Sequence, residues 1–132
     1  MSKSISHDLR GRVGERAGWR CEYCLLSEAD SGYPHHVDHI VSRKHGGESK
    51  ENNLALACAV CNRHKGTDIA ALISGSEQPV RLFDPRRQVW RDHFRFDGPW
   101  IRPLTETGEV TVRVLRLNDP WRIQERVLQY PQ

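Results

Sequence analysis

Apolar positions recur with two different periods along this chain, and each change of period marks an element. Leu9, Val13 and Ala17 share one face of a helix, with Asp8 as its N-cap and Gly18 as the residue that ends it. Gly11 and Gly14 weaken that helix. Its Arg10, Arg12 and Arg16 lie mostly on the opposite side, as a solvated basic face or a phosphate-contacting one. Residues 25–34 carry Ser, Asp and Gly and read as a loop. Alternation then sets in over residues 36–41, where His36, Asp38 and Ile40 face one way and Val37, His39 and Val41 the other. Neighbouring strand residues point to opposite faces, so Asp38 and His39 can serve one site only where the strand ends or twists.

The polar run 42–52, with Gly46-Gly47, predicts a loop, and residues 53–57 a second strand pairing with the first. Residues 58–61 are the second knuckle, followed by a helix through Lys65 that Gly66 stops, with Thr67-Asp68 capping one more helical turn through Leu72. Residues 74–79 read as a linker. Asp84-Pro85 and Asp119-Pro120 each set a capping residue before a proline, predicting helices near 85–93 and 120–129. In the latter, Ile123 and Val127 form an apolar stripe. Residues 94–104 suggest a hairpin around Asp97-Gly98. Residues 105–117 fit a strand by Val110, Val112 and Val114 and a helix by Val110, Val114 and Leu117; we take the helix. The expected fold is α+β: an N-terminal helix over 1–20, a strand–loop–strand–helix motif over 21–73, and a C-terminal α/β extension over 80–132 packing on it.

Composition adds a constraint. The chain has 132 residues, of which 37% are hydrophobic, and its mean hydropathy is −0.68, so the core is small and a structural metal would help to hold it. All four cysteines lie in Cys21-x-x-Cys24 and Cys58-x-x-Cys61. Two such knuckles can close a tetrahedral Cys₄ zinc site with no open position for water. Two disulfides, a redox pair and an iron–sulfur centre are the alternatives. No secretory leader and no membrane-length apolar run is apparent, so a cytoplasmic setting is expected, and its reducing conditions favour zinc thiolates. A net charge of +3 is compatible with nucleic acid and does not identify it.

Between the knuckles lie Val37-Asp38-His39-Ile40, Gly46-Gly47 and Asn53-Leu54, and the second knuckle continues as Cys61-Asn62-x-x-Lys65-Gly66. In this order the residues resemble the HNH endonucleases, specifically their zinc-bearing ββα-metal (His-Me finger) type. Residues 82–90, His93-Phe94 and 105–118 look, more loosely, like a C-terminal extension of some small bacterial HNH proteins. The resemblance implies hydrolysis of DNA phosphodiester bonds by a single-metal mechanism, leaving a 5′-phosphate and a 3′-hydroxyl. His39 is then the general base, since a neutral imidazole can take a proton from water near neutral pH. Asp38 offers a hard oxygen for Mg²⁺ or Mn²⁺, and Asn62 stands where the family places its second ligand. Asn53 takes the middle position of the motif, where the side chain ties the loop and fixes the base. Ser42 stands where the pattern often has Pro. Gly66 stands where some members have a further metal-binding His, which favours Mg²⁺ or Mn²⁺ over a transition metal.

Arg43, Lys44, Arg63 and Lys65 surround this segment and are expected to neutralise phosphates without reading sequence. Arg86, Arg87, Arg91 and Arg95 form a second basic group, with Trp90 and Phe94 assigned to the core. His36 either orients the base or is exposed, and His35, His45 and His64 read as solvated. A non-catalytic zinc module binding nucleic acid or protein, and an RNA-directed nuclease, are the competing functions. Oligomeric state leaves no signature in the sequence.

Overall fold

The structure, a computed structural model, describes residues 5–129; the leader expectation at residues 1–4 and the last residues of the extension lie outside them. Among the described residues no helix is long and apolar enough to cross a membrane. The fold is α+β, as expected: helices surround three two-stranded antiparallel sheets. Strand β1 (His36–His39) pairs with β2 (Leu54–Ala57), setting His36 opposite Ala57 and His39 opposite Leu54, and α3 (Ala59–Lys65) follows. These elements make the ββα unit that the sequence predicts. Strand β1 stops at His39, so Asp38 and His39 are its last two residues and alternate between its faces.

Helix α1 (His7–Ala17) ends at Gly18 in the left-handed region, but Ser6 caps its start instead of Asp8, accepting from Leu9 N at 3.2 Å. Its arginines are clamps. Arg10 pairs with Glu28 at 3.0 Å and lies over the Trp19 ring, Arg12 pairs with Glu51, and Arg16 donates to the carbonyls of Glu51 and Leu54. The loop 25–34 contains a short helix α2 (Glu28–Ser31), capped by Ser27. The loop after β1 holds single helical turns at Arg43–His45 and Glu51–Asn53.

No helical turn runs through Leu72. Residues Ala70–Leu72 form β3, which pairs with β4 (Pro79–Arg81), so residues 73–78 are the bend of a hairpin and the expected linker over 74–79 is not one. Leu82 N returns to Ile69 O and closes the ladder one residue further. Near 85–93 only α4 (Trp90–His93) is helical, because Asp84 spends its side chain on an Asx turn to Arg86 N. The hairpin β5 (Phe94–Asp97) and β6 (Trp100–Pro103) pairs Asp97 with Trp100, which puts Gly98 and Pro99 in the bend. Helix α5 (Glu106–Val114), capped by Thr105, and α6 (Pro120–Gln129) form where the sequence places them. The stripe on α6 differs: Arg122 and Arg126 are buried, while Val127 is exposed.

The main core joins Cys21, Tyr23, Cys24, Cys58 and Cys61 to Phe83, Phe94, Ile101, Val110, Leu115 and Leu117. A smaller cluster of Val13, Leu54 and Leu56 seats α1 on β2. Gly108 in α5 lies against the α4–β5 junction, where a Cβ would stand 2.3 Å from His93 O. Gly108→Ala gains about 1 kcal/mol of helix propensity but forces backbone apart. We expect a net loss of about 1–3 kcal/mol in urea unfolding, whereas Gly11→Ala, with open space at its Cβ, should not destabilise.

Candidate active site and metal centre

The two knuckles bring their four sulfurs together. All four cysteines are buried and unbridged, and their Sγ atoms lie within 4.8 Å of one another. Sulfurs held about 2.3 Å from one zinc stand about 3.8 Å apart, and Cys24 Sγ lies 3.7 Å from Cys58 Sγ. Each knuckle folds tightly, with Cys24 N directed at Cys21 Sγ and Cys61 N at Cys58 Sγ, both at 3.4 Å. Leu25 turns the first knuckle in the left-handed region. Hydrogen bonds among the sulfurs pull the Cys58 and Cys24 thiols down, while burial pushes Cys21 and Cys61 up. The donor set and spacing fit a structural zinc ion.

Glu22, between the first two ligands, accepts from Leu56 N at 2.8 Å and is paired with Arg86. Tyr23 carries the Trp90 indole on its carbonyl at 2.9 Å. The first knuckle therefore touches both β2 and the segment before β5. Arg86 belongs to this contact and not to an exposed basic group, in contrast to Arg87, Arg91 and Arg95, which are exposed. Phe94 is buried and Trp90 half-buried, as expected.

Beyond the sulfurs, the end of β1 faces α3. Asp38 is 4% exposed, with Oδ2 accepting from the Tyr23 hydroxyl at 2.8 Å and Oδ1 from Lys65 Nζ at 3.4 Å; the Lys65 ammonium lies 3.2 Å from Oδ2 as an ion pair. Burial pushes its carboxyl above the ordinary value, against the pull of Lys65 and Tyr23. Lys65 is 2% exposed and also donates to His39 O and Ile40 O, each at 3.1 Å. It is a buried tie between α3 and β1. The expected phosphate contact from Lys65 is thus corrected, because its ammonium is spent inside. Asn62 is half-buried on α3, and its side-chain amide makes no hydrogen bond among the described residues.

His39, on the other face of β1, is half-buried and pairs through Nε2 with Ser49 Oγ at 2.8 Å. Burial holds its imidazole below the usual range, opposed by Asp38 and reinforced by Arg43 and Lys65. Asn53 knots the loop: Oδ1 accepts from Val41 N at 3.0 Å, and Nδ2 donates to Val41 O and Glu48 O at 2.9 Å. Gly47 lets the knot close, since a Cβ there would stand 1.8 Å from Val41 O. Ser42 Oγ is buried without a hydrogen-bond partner among the described residues, so this position suits a side chain with no hydroxyl.

Arg43, Lys44 and Arg63 are exposed, as are His36 and His45. His35 is 3% exposed, with Nε2 on Leu26 O, so it is structural and not solvated. Sequence reasoning missed Ser49, which nothing in its polar loop sets apart from Ser42, and Tyr23, whose hydroxyl gave no sign of meeting Asp38.

Residues 21–68 match the model of the HNH endonuclease family. The chain carries an HNH domain. No curated protein and no solved structure matches the chain. The matched segment runs from the first knuckle to just beyond α3, so the HNH domain contains the sulfur cluster, β1, β2 and the knotted loop.

Native mass spectrometry of the purified protein should find one zinc per chain and four reduced thiols after denaturation. Two disulfides and no metal would contradict this. Asn53→Ala should cost about 1–3 kcal/mol and accelerate hydrogen exchange at Val41 while zinc content stays unchanged.

Proposed function

We propose that this HNH protein is a metal-dependent endonuclease that hydrolyses DNA phosphodiester bonds, with His39 as the general base. The observation that carries this is the setting of His39. It ends its strand half-exposed and beside a hydroxyl, with a depressed pKa, and is not packed into apolar surroundings. An imidazole that is neutral near pH 7 can take a proton from water. In the tautomer whose Nε2–H donates to Ser49 Oγ, Nδ1 is left to accept that proton. The Asn53 knot holds the loop that carries Ser49, so Asn53 acts as a positioning residue.

Asp38 and Asn62 would hold the catalytic Mg²⁺ or Mn²⁺. Asp38 Oδ1 keeps a lone pair beyond the bond it accepts from Lys65, Asn62 adds an unengaged carbonyl, and two hard oxygens suit ions that retain most of their water. When bound, such an ion stabilises charge on the scissile phosphate and the leaving oxygen. Lys65 and Tyr23 fix the carboxylate in position. Arg43, Lys44 and Arg63 are the cations left to contact flanking phosphates, which makes binding salt-sensitive and largely blind to sequence. The cell interior is the proposed setting.

Supercoiled plasmid with Mg²⁺ or Mn²⁺ should be nicked by the wild type and not by His39→Ala. Equal inertness with DNA binding retained would leave a binding module, and cleavage confined to RNA would change the substrate. Protonated His39 cannot act as base, and its pKa lies below the usual 6.5. Activity should therefore rise with pH through a midpoint below 6.5 and then level off; a midpoint well above that value would remove His39 from the role.

A further inference from the structure

Helix α6 reaches the sulfur cluster with a cation. Arg122 is 2% exposed, and its Nη2 lies 3.2 Å from Cys61 Sγ and 3.7 Å from Cys58 Sγ. Its Nη1 donates to Leu115 O at 2.9 Å and Arg116 O at 3.3 Å, which fixes the plane of the guanidinium. One turn along, Arg126 is 8% exposed and donates to Pro99 O at 3.0 Å and Leu117 O at 2.6 Å. Among the described residues neither arginine has a carboxylate at ion-pair distance. Buried cations without an anion are costly, so the anion has to be the sulfur centre itself.

Four thiolates around one Zn²⁺ leave two net negative charges, and α6 brings two buried positive ones. Arginine suits this place better than the other cations. A histidine could compete as a zinc ligand and a lysine could shed its proton, whereas a guanidinium has no lone pair to offer the metal and stays charged. We propose that Arg122, assisted by Arg126, is the built-in counter-cation of the four-cysteine zinc centre, so that zinc retention and docking of α6 form one linked equilibrium. Linkage is reciprocal: whatever the docked helix adds to zinc affinity, zinc adds to the docking of the helix. The C-terminal segment thereby becomes part of the metal site although it supplies no ligand. This role does not depend on hydrolytic activity.

The test is competition for zinc between the full chain and a chromophoric chelator, together with hydrogen exchange of residues 120–129. Outer-shell partners of zinc ligands typically contribute about 10–100-fold in affinity, and Arg122→Met or Arg122→Gln should lose zinc affinity in that range. Arg122→Lys should lose less, and Arg126→Met should show a smaller loss. Stripping zinc from the wild type should speed exchange across 120–129. A folded Arg122→Met or Arg122→Gln protein that holds zinc as tightly as the wild type would overturn the proposal. So would exchange at 120–129 that ignores zinc. If Arg122→Met does not fold, the ranking of Lys against Gln decides: Lys must retain zinc more tightly, and the reverse order refutes the role.

Discussion

Four sulfurs within 4.8 Å of one another set the terms for the rest of this molecule. Cysteines packed so closely in an apolar core repel as thiolates and bond poorly as thiols, and a single zinc ion resolves both problems. The constraint reaches far along the chain. It pins the segment before α2 to the start of α3, and with it the β1–β2 pair enclosed between them. It also draws in Phe83, Phe94, Ile101 and Leu117 from the second half, which pack in the same cluster as the cysteines. A chain with so modest an apolar content gains a core by organising it around a sulfur cluster that fits a metal ion.

The sulfur scaffold and the candidate chemistry share one strand. Tyr23, one residue past Glu22 in the first knuckle, holds Asp38, and Lys65 at the far end of α3 holds Asp38 together with the carbonyls of His39 and Ile40. Both ties start from segments that the cysteines fix. The end of β1 is therefore positioned from two sides by buried polar contacts, while His39 on its other face stays half-exposed and bonded to the loop. Rigid support below and partial solvent access above is the arrangement a reactive imidazole requires.

What the sequence made legible follows from local chemistry. The knuckles, the β1–β2 pair and α6 each declare themselves through spacing, alternation or a capping pair, the Asn53 knot only through the family resemblance, and each forms as expected. The β3–β4 hairpin stayed hidden because three-residue strands carry too little alternation to outweigh the helix signal of Thr67-Asp68. Asp84 was legible as a capping residue, but the same side chain closes a turn just as well. Lys65, Arg86 and His35 were misplaced for a common reason. Charged and polar side chains read as surface unless their partner is known, and these partners lie 25 or more residues away for Lys65 and 64 away for Arg86. Long-range pairing of buried charge is a property of the fold and leaves no periodic trace in the chain.

The central claim is that the metal-bound sulfurs hold both halves of the protein in one fold. The most direct measurement is a backbone amide NMR spectrum recorded before and after stoichiometric removal of zinc by a chelator. The account predicts that dispersion is lost together for residues of β1, β2 and α3 and for residues of β5, β6, α5 and α6, and that it returns when zinc is restored. A spectrum in which the second half keeps its native shifts without zinc would contradict it.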